Sequence, residues 1–148
     1  MKSNIEMAFL YLDNRDSKVS EKGVDWHLDH MFKVIIGISR VLKESNPQEY
    51  KRNINFSRAF VFTRNKIPRG KGKSPKSVLP PENIHPNDIK DQYEKAWKCW
   101  QETKTLPAKC NFIHPVFGQL NLRQARKFIK MHTQHHLDII NEIIVSST

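Results

Sequence analysis

Asn121-Leu122-Arg123-Gln124-Ala125-Arg126-Lys127-Phe128-Ile129-Lys130-Met131-His132-Thr133-Gln134-His135-His136-Leu137-Asp138-Ile139-Ile140-Asn141-Glu142-Ile143-Ile144 is the stretch on which the fold of this chain turns. At about 100° per residue, Ala125, Ile129, His132, His136, Ile139 and Ile143 fall on one narrow stripe of a helix. Two histidines therefore stand where the pattern asks for Leu or Ile. His135 lies roughly 80° from the centre of the stripe, on its shoulder. Imidazoles four residues apart on the inward face of a helix are neighbours and can share one metal ion. Asn121 with Gln124 reads as a capping pair, and the helix should run to about Val145, a length of roughly 36 Å.

Upstream, Ser3 and Glu6 have capping-box spacing before a short helix with Ile5, Ala8, Phe9 and Leu12 on one face. A second helix should begin near Gly23 to Asp25 and stop at Ser45-Asn46-Pro47. Its stripe is Leu28, Met31, Val34, Ile35, Ile38, Val41 and Leu42. His27 projects near the stripe centre and His30 onto its edge. Asp25 and Asp29 suit the positive end of the helix dipole. Residues 57–63 are readable as either a short helix or an extended segment. Pro68 to Pro81 is a loop rich in proline, glycine and lysine, which forms neither helix nor interior strand. A third main helix follows His85-Pro86, with Ile89, Tyr93, Ala96, Trp97 and Trp100 on one side. The connection from Ala108 to Leu120 then leads into the last helix. Four amphipathic helices without convincing alternating strands predict an all-α four-helix bundle. It should have one long crossover and a long basic loop, and residues 1–148 should form a single domain.

Net charge is +10 over 148 residues, and six cations without an acid lie between Arg64 and Lys76. Such a balance brings anionic partners into view. No apolar run approaches the length of a membrane span, and none has the flanks of an export signal. The expectation is a cytoplasmic chain with no membrane partner, in which Cys99 and Cys110 remain reduced thiols.

With the second helix beside the last, His27 or His30 can face His132 and His136. Three imidazoles form the protein part of a catalytic zinc-type site with one position open to water or substrate. Nitrogen-only ligation also suits nickel or another first-row divalent metal. The competing reading is structural, because a histidine on an apolar face is ordinarily a core residue with a hydrogen-bond partner. There is no His-Glu-x-x-His and no Glu-x-x-His, which removes the zincin base and favours a mononuclear site over a di-iron one.

Three motifs carry a family resemblance: Leu28-Asp29-His30-Met31, His114-Pro115-Val116-Phe117-Gly118, and His132-x-x-His135-His136. Together with the helix order, they resemble the DinB-like (YfiT-like) metalloenzyme superfamily. The match is to the branch marked by a His-Pro-x-Phe-Gly loop, although Val116 replaces the aromatic residue usual there. The resemblance implies a four-helix bundle with His30, His132 and His136 as metal ligands. Helix geometry alone leans to His27, which stays the rival third ligand or a hydrogen-bonding partner behind the ligands, as does His135. The resemblance further implies hydrolase or thiol-transferase chemistry, and relatives often form homodimers. His114, Arg69, Lys71 and Lys73 are candidates for contacting a small anionic or thiol-bearing substrate. Nucleic acid ranks behind such a substrate, because the basic loop has no interleaved aromatics. The alternative function is a basic nucleic-acid- or anion-binding helical protein with structural histidines.

Overall fold

The computed structural model describes residues 2–70 and 75–147. Among these the chain is mostly helical: α1 (Lys2–Ala8), α2 (Val24–Glu44), α3 (Phe56–Arg64), α4 (Pro86–Glu102) and α5 (Leu122–Ser146). A two-stranded antiparallel sheet, β1 (Asn111–His114) and β2 (Gly118–Asn121), precedes α5. None of the described helices is long and apolar enough to cross a membrane.

Helix α2 is the central element and packs on both α4 and α5, while α1 packs on α5. Contacts on several sides explain why its first half is buried almost all round, from Val24 through His27, Leu28, Asp29, His30, Met31 and Phe32. The stripe expected of α2 is buried except at Val41, which is 45% exposed. Leu28, Met31, Ile129, Ile140 and Ile143 join one hydrophobic core. Burial of such side chains is the main favourable term holding these helices together.

The expected helix ends mostly follow from local chemistry. Asn121 Oδ1 accepts from the Gln124 backbone N–H at 2.9 Å, and Gln124 Oε1 accepts from the Asn121 N–H at 3.1 Å. This reciprocal pair satisfies two amide donors at the start of α5. Pro86 opens α4, where a missing N–H costs nothing. Ser3 does not stand at the cap position that the Ser3–Glu6 box requires. Helix α1 already begins at Lys2, so Ser3 lies within its first turn and not at its cap. Asp29 also departs from its expected role as an end charge. It is buried, pairs with Lys33 at 2.7 Å, and accepts from Gln92 of α4 at 2.7 Å.

Two elements lie outside the expected set of four helices. Residues 56–64 resolve as a helix, and the supposed connection before α5 contains the hairpin. The turn at His114-Pro115-Val116-Phe117-Gly118 is closed by His114, whose Nδ1 accepts from the N–H groups of Val116 (3.1 Å) and Phe117 (3.2 Å). Gly118 has φ +69, and a Cβ there would meet Asn53 Nδ2 at 3.0 Å. Along β1, Phe112 and His114 turn towards Phe128 of α5, while Ile113 is exposed. That is ordinary strand alternation, too short to register in the sequence pattern.

Arg58 of α3 fastens the hairpin. Its buried guanidinium donates to Asn53 Oδ1 at 2.6 Å and to the carbonyls of Phe117 and Gln119 at 3.2 Å each. A fork of donors in fixed geometry does this, and an ammonium group does not. Arg58→Lys should therefore lower unfolding free energy by roughly 2 kcal/mol, because buried acceptors of a charged donor lose their partner. Urea denaturation measures it, and a loss below about 0.5 kcal/mol would show that the acceptors find water instead.

Candidate metal centre

Helices α2 and α5 bring His30, His132 and His136 together, with one ring nitrogen of each within 4.8 Å of the others. Among the described residues no carboxylate, thiol or fourth imidazole joins this group. His30 and His136 are buried, and His132 is partly exposed. Trp26, one turn before His30, stacks on its ring at 5.0 Å between centroids, and Phe128, one turn before His132, lies 5.7 Å from that ring. The expected partner of His30 on α5 is therefore correctly placed, and Trp26 was accessible from i, i+4 spacing alone.

Hydrogen bonds assign the ring nitrogens. His30 Nδ1 lies 2.8 Å from the Val78 carbonyl, which only accepts, so Nδ1 carries the proton and Nε2 the lone pair. A backbone carbonyl behind a histidine fixes ring and tautomer in the manner usual for a metal ligand. Val78 lies in a short 3-10 turn, Lys76–Val78, and Lys33 reaches the next carbonyl, Leu79, at 3.3 Å.

His136 Nδ1 is 3.0 Å from His27 Nδ1, and His27 Nε2 is 3.0 Å from Ser20 Oγ. With the lone pair of His136 Nε2 facing the cluster, the chain of donors runs His136 Nδ1–H to His27 Nδ1, then His27 Nε2–H to Ser20 Oγ. Both nitrogens of His27 are thereby engaged. Its position near the centre of the α2 stripe places it behind His136, not in the cluster. His30, and not His27, is the α2 histidine that groups with His132 and His136.

His132 Nε2 stands 3.3 Å from His136 Nε2. That is long for a hydrogen bond, whose donor–acceptor distance is about 2.7–3.2 Å. It matches the edge of about 3.4 Å between two nitrogens tetrahedrally bound to an ion at about 2.05 Å. The other nitrogen of His132, Nδ1, is buried and has no hydrogen-bond partner. An ion at Nε2 would leave this Nδ1–H equally without a partner, so the orphan does not separate a ligand from a structural histidine. The three histidines lie close enough together to hold one metal ion.

Neutral imidazoles are required for ligation, and the site supplies them. Burial pushes His132 and His136 well below the ordinary value of 6.5, with the neighbouring histidines adding to the effect. Burial, reinforced by His30, His135 and Arg69, lowers His27 to about 4. His30 is also lowered by burial, against the opposing pull of the Val78 carbonyl and Asp29.

The remaining candidates are placed differently. His135 rests against the His136 ring at 5.2 Å and bonds the backbone of Ile67, so it holds the chain after α3. Arg69 forms two hydrogen bonds with Glu142 of α5, at 2.8 and 2.7 Å, which satisfies its charge without a substrate. His114 stacks on Phe117 at 4.5 Å and closes the hairpin turn. Lys71 and Lys73 lie outside the described residues. Ser20 and the Val78 carbonyl had no sequence signal as site residues, since both come from connecting segments.

No family model, curated protein or solved structure matches this chain.

His27 and His114 are both held at about 4 by burial, against 6.5 when unfolded. Between these values the unfolded chain takes up protons that the folded chain refuses, so stability falls as pH drops through this window. For metal-free protein the urea midpoint should be flat above about pH 7 and decline steadily from about 6.5 to about 4.5. A midpoint unchanged down to about pH 5 would mean that these rings are protonated within the fold.

Proposed function

We propose that this chain is a metal-dependent enzyme of DinB-like type, built as a four-helix bundle around a mononuclear site. His30, His132 and His136 hold the ion through their Nε2 atoms, and zinc and nickel are the metals that best suit three imidazoles. The observation that carries this reading is the 3.3 Å approach of His132 Nε2 to His136 Nε2, close to the nitrogen–nitrogen edge of a tetrahedral ion site, in a cluster completed by His30. With three protein ligands and no carboxylate or thiol among the described residues to complete the set, one position is open to water or substrate.

An ion held in this way supplies Lewis acidity and brings the pKa of a water in the open position towards about 7, which serves hydrolysis, and it equally favours a substrate thiolate for thiol transfer. The chain's own residues do the rest. The Val78 carbonyl keeps His30 in the Nδ1–H tautomer, and His27 orients His136 from behind. Trp26 and Phe128 flank the cluster with apolar surface that limits access of bulk water. Because Glu142 already neutralises Arg69, attraction of an anionic substrate does not rest on that residue.

Untagged protein grown with added zinc or nickel should carry about one ion per chain by elemental analysis. His132→Ala and His136→Ala should each abolish it. His27→Ala should retain the stoichiometry but bind about 10–100-fold more weakly, as loss of an orienting partner does. Protein that stays metal-free under these conditions, or His132→Ala protein with undiminished affinity, would overturn the assignment.

A further inference from the structure

Five cationic side chains, Lys104, Arg123, Arg126, Lys127 and Lys130, line an open groove of about 540 Å3 beside the first two turns of α5, and no carboxylate lines it. The basic loop at 64–76 had drawn attention to itself in the sequence, whereas these residues are separated along the chain and meet only in the fold. None of the ion pairs among the described residues involves a groove cation. Glu102, close to Lys104 in sequence, is taken by Lys43 at 3.1 Å.

The groove is held in shape by neutral groups. Arg126 donates to the buried Thr103 Oγ1 at 2.6 Å and lies over the Trp100 ring, 4.2 Å from its centroid. Lys127 Nζ donates to the Phe62 carbonyl at 2.8 Å. Both cations are positioned, and neither is neutralised. The first turn of α5 has no acidic residue and carries Arg123 instead. Positive charge at the positive end of a helix dipole is unfavourable. So are the like-charged pairs Arg123–Lys127 and Arg126–Lys130 at i, i+4. An anion in the groove relieves both.

The α5 cations extend from residue 123 to residue 130, about 10 Å along the helix axis, and do not converge on one point. The lining offers no open aromatic face on which a base could stack, since Arg126 covers Trp100. An extended anion contacted through its charges fits this arrangement better than a compact one. We infer that the groove binds the phosphate backbone of a nucleic-acid strand without reading its bases. The inference needs no ion at the histidines and is independent of the metal reading.

Fluorescence anisotropy of a labelled oligothymidylate with the full chain, with and without chelator, tests it. Affinity should fall with salt at a log–log slope of about −3, from about four phosphate contacts. Among the described residues, the exposed Lys104, Arg123 and Lys130 have no side-chain hydrogen bond or ion pair. The triple variant Lys104→Gln/Arg123→Gln/Lys130→Gln should lose at least about tenfold in affinity at low salt, with its slope falling to about −1. A variant that loses equal charge from the loop, Arg64→Gln/Lys66→Gln/Lys76→Gln, should stay within about threefold of the parent. If the triple variant does not fold, Arg123→Gln and Lys130→Gln singly should each reduce the slope by about 0.7. Equal weakening by groove and loop variants would overturn the inference in favour of diffuse attraction. Absence of binding at low salt would overturn it, as would displacement of the strand by inorganic phosphate as effective as by unlabelled strand.

Discussion

Packing of α2 against α5 places four imidazoles, those of His27, His30, His132 and His136, in one region with little water. Ring centroids of successive members lie within about 5 Å of one another, from His27 to His136 at 5.2 Å and from His136 to His132 at 4.5 Å. Charged rings at these separations would repel each other and lose hydration, so all four must be neutral near pH 7. A neutral imidazole has one donor and one acceptor nitrogen, and a cluster of them must therefore be ordered proton by proton. The Val78 carbonyl, which only accepts, fixes the tautomer of His30, and the Ser20 hydroxyl engages the outer nitrogen of His27. Helix packing and the connections that cross it are thus parts of one polar arrangement.

The segment between α3 and α4 gains its position from the same helices. His135 of α5 bonds the backbone of Ile67, Arg69 pairs with Glu142 of α5, and His30 and Lys33 of α2 bond the carbonyls of Val78 and Leu79. Ile67 and Arg69 on one side of the basic stretch, and Val78 and Leu79 on the other, are therefore fastened to the two histidine-bearing helices. Arg69 is the clearest case. A cation that suggested substrate attraction is matched by a carboxylate one helix away, and at this exposure the pair itself adds little stability. Among the described residues, the cations that line the groove towards the other end of α5 have no such counter-charge.

The parts of the fold that were legible are those where local chemistry and periodicity agree. The Asn121–Gln124 cap, Pro86 at the start of α4 and Ser45-Asn46-Pro47 after α2 all mark real boundaries. Helix α3 was illegible because its pattern is inverted: Arg58 is buried while Phe56 and Phe60 are 85% and 54% exposed. A buried guanidinium follows from the carbonyls of the hairpin, which lie some sixty residues away. The hairpin was illegible for a related reason, since four-residue strands flanking a Pro-containing turn give too few alternations to count.

By themselves, the residues determined that His132 and His136 share an inward stripe of α5 and that His27 and His30 lie on the inward side of α2, because helical spacing fixes which side chains lie on one face. They did not determine which of the two α2 histidines meets the α5 pair. His27 and His30 both lie inward, and an angle of about 100° per residue is silent about which ring nitrogen holds a proton. Only the tertiary structure brings His30 to His132 and His136, with Val78 behind it, and places His27 between His136 and Ser20. Periodicity assigns a side chain to a face, whereas the role of an imidazole depends on the partners of its two nitrogens, and those arrive from distant parts of the chain.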